Sequence, residues 1–361
     1  MNLRVLSIAY PFSTVGSDSV GGAEQILYRL DKALVRSGHK SFVVAPAGSR
    51  VAGVLIRTPL TSCEITPRVR ARTHAQLRAV VKEAINKFDP NLIHMHGVDF
   101  YEYLPPENRP VLVTLHLPVS FYPSWIFQLS RARTYLHGVS DSQNRTCPQN
   151  TRILPPIANG VPLLLERPAP KSDYAVCLSR IAPEKNVHTA LAAARKAGVP
   201  CILAGKVFPY REHQEYFASQ VEPLFDQARR FVGAVDEPSK WRLLQAARCL
   251  LQPSLAAETS SLVAMEALAC GTPVIAFRSG ALPEIVEDRK TGFIVQSADE
   301  MAAAISKLDR LDAEDCLQAA RSRFSLDRMT RDYLQLYYKL ANPTAPPKQN
   351  ELVLRSTMDR Y

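Results

Sequence analysis

No apolar stretch in this chain of 361 residues approaches the length of a membrane span. No C-x-x-C pair or other zinc spacing occurs among its seven cysteines, an odd set made of Cys63, Cys147, Cys177, Cys201, Cys249, Cys270 and Cys316. Several lie inside apolar runs such as AVCLS, CILAG and ARCLLQ, where a free thiol behaves as a small buried hydrophobe, so a reducing cytosol is expected rather than a disulfide framework. A basic low-complexity tail and an aromatic RNA-binding signature are both missing, which argues against nucleic acid as a partner. The G-x-G-x-x-G turn of dinucleotide enzymes does not follow the first strand, and this puts an oxidoreductase last among the enzyme classes. The opening MNLRVLSIAY has one early Arg and runs into a polar loop by Ser13, as a first strand does and a signal peptide does not. There is no internal repeat beyond a duplicated αβ pattern.

What the chain does have is length, positive charge and alternation. Its length predicts two domains of about 150 residues each. The formal charge of +10 suits an anionic partner, and composition leaves open whether that is a nucleotide phosphate, an acidic membrane surface or nucleic acid. Arg4 to Ala9 reads as a buried parallel strand, followed by a long loop from Pro11 to Val20. Gly21-Gly22-Ala23-Glu24 then opens a helix to about Ser37 that Gly38 ends. Ser41 to Ala45 continues as a strand, Thr73 to Phe88 as a helix, and Asn91 to His94, Val111 to Leu115 and Leu136 to Val139 as strands. Residues 151–172 are rich in proline and read as a linker. After it the pattern restarts: strand Tyr174 to Leu178, helix Asn186 to Ala197, strand Cys201 to Ala204, strand Phe231 to Val232, helix Ser239 to Ala247, and strands Cys249 to Gln252 and Val274 to Phe277. A helix from Leu326 to Leu340 carries Tyr333, Tyr337 and Tyr338, and the residues beyond 342 read as a flexible tail. The expected fold is α/β, with two Rossmann-like doubly wound domains facing a cleft and ligands beyond the carboxyl ends of the strands.

One stretch concentrates chemistry. Glu258 and Glu266 stand in a Glu-x7-Glu spacing around Thr259-Ser260-Ser261, and LVAMEALA from Leu262 has helix-forming composition up to Cys270-Gly271-Thr272-Pro273. Ser260 or Ser261 is then the N-cap, and the helix start is an anion site with a carboxylate on either side that could accept from sugar hydroxyls. A surface acid followed by an ordinary helix acid explains the same spacing.

Order along the chain discriminates better than any single motif. A glycine pair after the first strand, histidines at later strand ends, Arg-x4-Lys after the first strand of the second half, and then Glu-x7-Glu resemble glycosyltransferase family 4. The second half carries the most specific pieces: LSRIAPEKN, AGK, FVGAV, LLQPS, ETSSLVAME, CGTPVIA and LPEIVEDRKTGFIV. The resemblance implies the GT-B fold: an acceptor-side domain over 1–165, a nucleotide-sugar domain over 166–322, a helix over 323–341 crossing back to the first domain, and the tail over 342–361. It implies that Arg180 and Lys185 bind the donor diphosphate, where fixed cations count most as the leaving group gains charge. With no Asp-x-Asp metal pair in place, these cations and the amides of Leu262 and Val263 behind Ser261 would stand in for a metal. Glu266 would take the ribose, Glu258 the transferred sugar, and Gly21 and Gly22 the approach to the phosphate, while His116 would lie beside the reacting sugar. His96 is expected to line the cleft and His94 to be structural. Ser140-Asp141 resembles a cleft-edge segment, Asn159-Gly160-Val161 the hinge turn, and Glu284 a residue near the donor, although a helix-start carboxylate explains Glu284 equally well. The commoner pattern has an aromatic and a glycine between the glutamates, where this chain has Thr259, Ser260 and Ser261.

The expectation is therefore a retaining hexosyltransferase with no metal or other cofactor, using a nucleoside-diphosphate sugar and an acceptor that is a sugar, a lipid-linked molecule or a small metabolite. The Arg cluster from Arg68 to Arg78 suits either a solvated helix start or a peripheral contact at the inner face of a membrane. Two alternatives stand beside this one: a nucleotide-sugar epimerase of the same architecture, and a catalytically silent sugar-nucleotide-binding protein.

Overall fold

Short runs such as RVLSI and SFVVA are apolar on both faces, and only a parallel sheet covered by helices on both sides buries them fully. The computed structural model describes residues 2–61, 64–106, 109–149, 151–164 and 167–342. The first half consists of β1 (Arg4–Ile8), α1 (Gly22–Arg36), β2 (Lys40–Pro46), β3 (Val54–Thr58), α2 (Pro67–Phe88), β4 (Leu92–Met95), β5 (Val111–Thr114), β6 (Thr134–His137), α3 (Asp141–Arg145) and β7 (Ile153–Leu154). Its strands pair in parallel in the order β3-β2-β1-β4-β5-β6-β7.

The second half consists of β8 (Ala175–Leu178), α4 (Val187–Lys196), β9 (Cys201–Ala204), α5 (Arg211–Tyr216), β10 (Arg229–Phe231), α6 (Glu237–Ala246), β11 (Cys249–Gln252), α7 (Leu262–Leu268), β12 (Val274–Phe277), α8 (Leu282–Ile285), β13 (Gly292–Val295), α9 (Ala298–Ile305) and α10 (Ala313–Arg323). This sheet is also parallel, in the order β10-β9-β8-β11-β12-β13. Strand order reverses between β1 and β4 and again between β8 and β11, so a crevice opens beyond the carboxyl ends at both places. The loops leaving β1, β5, β8 and β11 carry the candidate residues. Two doubly wound parallel sheets of this kind are the GT-B architecture.

A last helix, α11 (Leu326–Ala341), belongs in space to the first domain. Its Met329, Tyr333, Leu334, Tyr337 and Leu340 repeat at helical spacing and pack on Leu3, Val5, Ile26, Leu30, Leu92 and Leu112. The crossing is tight. Val161 donates its N–H to the carbonyl of Phe324 at 2.8 Å, and Leu326 donates back to Val161 at 3.0 Å. A Cβ on Gly160 would lie 2.8 Å from both Met329 Cβ and the Ser325 carbonyl oxygen, so this turn accepts no side chain without movement. Tyr333 and Tyr337 are core, as expected, whereas Tyr338 is exposed and meets His39.

Several element boundaries differ from the sequence reading. The stretch read as linker from 151 contains β7, whose two residues pair with β6; a strand that short in a proline-rich segment has no periodicity to show. Helix α2 starts at Pro67 rather than Thr73, because Pro at its first position needs no N–H partner and Thr66 caps it by accepting from Val69 N–H. Strand β10 lies two residues earlier than expected. The edge strands β3 and β13 and the helices α5, α9 and α10 went unread. The boundary at 165/166 and the tail after 342 fall outside the described residues. Among the described residues no helix is long and apolar enough to cross a membrane.

Candidate active site

The second-domain side is built by two loops fastened to each other. Leaving β8, the chain runs through a short turn over Pro183–Lys185 to Asn186, which takes a left-handed conformation (φ 55°) and donates from Nδ2 to the Pro253 carbonyl at 3.1 Å. Leu255 N–H donates to the Glu184 carbonyl at 2.9 Å. These bonds set the Arg180-x4-Lys185 loop against the loop leaving β11, and they bring Lys185 Nζ within 2.6 Å of Glu258 Oε1. The main chain of Glu258 is pinned from below. Its carbonyl accepts from Ala281 N–H at 2.7 Å, and Gly280, at φ 53°, lies so close that a Cβ there would come within 2.2 Å of the same oxygen. Arg180 pairs with Glu184 at 3.3 Å on the surface.

Ser261 is the N-cap of α7. Its Oγ accepts from Ala264 N–H at 3.3 Å and is held by the Gln252 side chain. Leu262 and Val263 therefore supply the first amides of that helix, and Leu262 packs into the cores of both domains. One turn further on, Glu266 is buried, and its Oε1 is shared by Lys240 Nζ of α6 at 2.8 Å and Arg29 Nη2 of α1 at 3.0 Å. Arg29 also donates to the Gly160 carbonyl at 2.9 Å. Its guanidinium thus joins α1, the interdomain turn and α7.

On the first-domain side Gly21 is the N-cap residue of α1, and Gly22 lies opposite Leu262 across the cleft. The Glu24 carboxylate folds back over Gly21, and burial pushes its pKa up. His116 follows β5. Thr259 Oγ1 donates to the His116 carbonyl at 2.8 Å, so the Glu258 turn is tied directly to the histidine of the opposite domain. His116 Nε2 lies 3.0 Å from His96 Nδ1, with the rings stacked. Burial lowers the His116 pKa to about 3, with repulsion from His137 second, so the ring is neutral near pH 7. The expectation that His96 lines the cleft is corrected: it is buried behind His116.

Behind that pair lies a neutral hydrogen-bond chain whose direction can be assigned. His137 Nδ1 is 2.9 Å from the Gly138 carbonyl, which can only accept, so Nδ1 carries the proton and Nε2 accepts from Thr114 Oγ1 at 2.7 Å. Thr114 then accepts from His94 Nε2–H at 2.8 Å, and His94 Nδ1 accepts from Tyr337 O–H at 2.7 Å. His94 is structural, as expected. Burial holds both rings below the usual histidine range, His137 at about 4. Among the described residues no three His, Cys, Asp or Glu side chains are grouped so as to hold a metal ion.

Glu284 stands in the first turn of α8, as a helix-start carboxylate does. Its carboxylate accepts from the backbone N–H groups of Asp141 and Ser142 and from Arg145, capping α3 across the domain boundary. Of Ser140-Asp141, Asp141 joins that contact through its N–H, while Ser140 caps α3 by accepting from Gln143 N–H. Sequence reading did not single out Arg29, Lys240 or His137. Their only local signal was a charged or polar residue within or beside an apolar run, and their partners are far away in the chain.

Residues 20–148 match the family model described as Glycosyltransferase Family 4, and residues 166–323 match the one described as Glycosyl transferases group 1. The chain is 25% identical to a glycogen synthase from Mycobacterium tuberculosis, with 92% of this chain and 91% of that protein covered. In fold it is similar to sucrose-phosphate synthase from Thermosynechococcus elongatus, with a TM-score of 0.76, 20% identity, and 94% and 100% of the two chains covered. It is also similar to Anabaena Alr3699/HepE, solved in complex with UDP and glucose, with a TM-score of 0.71, 17% identity, and 93% and 100% covered.

Proposed function

Because the chain belongs to the family 4, group 1 glycosyltransferases, we propose that it transfers a hexose from a nucleoside-diphosphate sugar to an acceptor hydroxyl with retention of configuration and without a metal ion. The observation that supports this most directly is the convergence of Lys185, Glu258 and the Thr259–His116 tie. A cation, a carboxylate and the main chain of His116 meet beside the start of α7. Lys185, Arg180 and the Leu262 and Val263 amides take the diphosphate. Arg180 can leave Glu184 at little cost, since an exposed pair of this kind contributes only about 0–1 kcal/mol. Glu258 accepts from hydroxyls of the transferred sugar. Glu266 makes no hydrogen bond through its second carboxylate oxygen among the described residues, and that oxygen takes the ribose. The acceptor hydroxyl attacks from the face the diphosphate leaves, and the departing phosphate oxygen takes its proton.

A surface feature favours an amphiphilic acceptor over a free sugar. Leu117, Phe121 and Trp125, which follow His116, are 37%, 64% and 53% exposed. Trp125 meets Tyr101, and Arg78 of α2 donates to the Glu102 carbonyl, which joins Arg78 to this surface; Arg68 and Arg72, also exposed, stand earlier on the same helix. An anionic membrane face with a lipid-linked acceptor fits that combination. The free cysteines among the described residues fit a reducing cytosol.

The decisive assay measures nucleotide released from uridine, guanosine, adenosine and thymidine diphosphate sugars, starting with UDP-glucose. Lys185→Ala is expected to lower release by about 10²–10³-fold, the scale of one lost transition-state charge contact. Equal release by both proteins would refute the site. Conversion of the donor to an epimeric nucleotide sugar, with no acceptor added and no nucleotide released, would point to an epimerase instead. For the surface, co-sedimentation with phosphatidylglycerol vesicles is expected for the intact protein and reduced for Trp125→Ala; equal sedimentation of the two would refute the contact.

A further inference from the structure

The His96–His116 pair permits two proton arrangements, and burial distinguishes them. His96 is 3% exposed, and its Nε2 is sealed from solvent with no hydrogen-bond partner among the described residues. If His116 Nε2 carried the proton and donated to His96 Nδ1, the His96 proton would sit on Nε2 as a buried donor facing nothing. If His96 Nδ1 carries it and donates to His116 Nε2, only a lone pair is left without a partner. Orphaned buried N–H groups are the rarer of the two in folded proteins. The second arrangement is therefore the one this packing selects, and it places the His116 proton on Nδ1.

That atom faces outward. His116 is only partly buried, and its Nδ1 makes no hydrogen bond among the described residues, yet it is not among the sealed, unpartnered atoms. The neighbouring rings cannot reset the pair, because the Gly138 carbonyl fixes the tautomers of His137 and His94 through Thr114.

We propose that His96 is a positioning residue for His116: by donating from Nδ1 it locks His116 in the Nδ1–H tautomer, so that the group offered to substrate is a hydrogen-bond donor and not a base. This rests on the reading of His116 as the imidazole beside the reacting sugar. It deepens that reading by assigning His116 to donate to a sugar oxygen, which leaves the acceptor's proton to the departing phosphate.

The test is a long-range ¹H–¹⁵N spectrum of the full chain near pH 7.5, with the His116 resonances identified by their loss in His116→Gln. The expected wild-type pattern is protonated Nδ1 and unprotonated Nε2. Two variants follow. Asn can place an amide N–H where His96 Nδ1–H lies, and Leu cannot. In His96→Leu the His116 signals are expected to shift to the other tautomer or to a mixture, and kcat to fall on the order of tenfold, about one transition-state hydrogen bond, with donor KM nearly unchanged. His96→Asn is expected to restore both the spectrum and kcat. A wild-type His116 protonated on Nε2 overturns the proposal, and so does an unchanged tautomer in a folded His96→Leu protein. If no donor is turned over at all, the reading of the site fails while the spectra still decide the tautomer. If His96→Leu does not fold, the wild-type and His96→Asn spectra decide it.

Discussion

Lowering the pH from 7.5 to 5.5 should destabilise the first domain through its histidines. His94, His96 and His137 are 0%, 3% and 0% exposed, and burial, the largest cause for each, pushes their pKa values down; His137 lies at about 4. The groups that face them are one another, His116, Thr114, Tyr333 and Tyr337, none of which supplies a negative charge in this range. The sign follows from where protons bind. In the unfolded chain each ring protonates near its ordinary pKa of about 6.5, while in the folded chain it stays neutral well below that. Below about pH 6.5 the unfolded state therefore binds more protons, and stability falls with pH until the folded pKa is reached. At pH 5.5 each sealed ring has lost about 1.4 kcal/mol, so the three together remove about 4 kcal/mol. His116, partly open to solvent, adds a smaller share. Against a typical net stability of about 5–15 kcal/mol this is a large loss. Urea unfolding followed by near-ultraviolet circular dichroism at pH 7.5, 6.5 and 5.5 measures it, and the slope should correspond to about three protons taken up on unfolding. A stability unchanged between pH 7.5 and 5.5 would refute the neutral cluster, as would an undiminished slope in His137→Gln.

Two further perturbations probe how the domains are joined. Arg29→Ala removes one of two cations from a buried carboxylate; since Lys240 stays on the same oxygen, the cost should sit at the low end for a broken buried pair, about 3 kcal/mol by urea unfolding. Pairing it with Glu266→Gln should give less than the sum of the single losses, and simple additivity would show that the two groups do not interact. Gly160→Ala forces a methyl against Met329 and Ser325 and should cost about 1–3 kcal/mol. Amide exchange should quicken along α11 and not in β11, and uniform quickening would refute the local origin.

What was legible in the sequence was local. The parallel αβ alternation shows because a strand buried on both faces is a short apolar run, and a serine cap at 260 or 261 shows because a hydroxyl before LVAMEALA has few other uses; the structure makes it Ser261. The tyrosine stripe of α11 shows as helical periodicity. Arg29 was illegible because its partner Glu266 lies 237 residues away and nothing in α1 marks that position. The partner of Glu284 was illegible for a related reason: a carboxylate near a helix start suits a ligand and a neighbouring helix equally, and the contact with α3 shows only in the fold. The placing of His96 failed on depth, since alternation along β4 gives the face of the sheet but not which histidine stands in front.

The Thr259-Ser260-Ser261 turn departs from the commoner pattern closest to the chemistry, yet two of its three hydroxyls serve the frame. Ser261 caps α7, Thr259 ties the turn to the His116 carbonyl, and Ser260 Oγ is sealed without a partner among the described residues. Glu258 itself is held by other means: its carbonyl by Ala281 N–H, its backbone by the close approach of Gly280, and its carboxylate by Lys185, while Ser279 fastens the Ala256 carbonyl two residues earlier. None of these contacts uses a side chain from 259 to 261. The turn can therefore vary in sequence without displacing the carboxylate or the lysine. What it changes is the contact between the two domains, and there Thr259 adds a hydrogen bond that neither a phenylalanine side chain nor a glycine could donate.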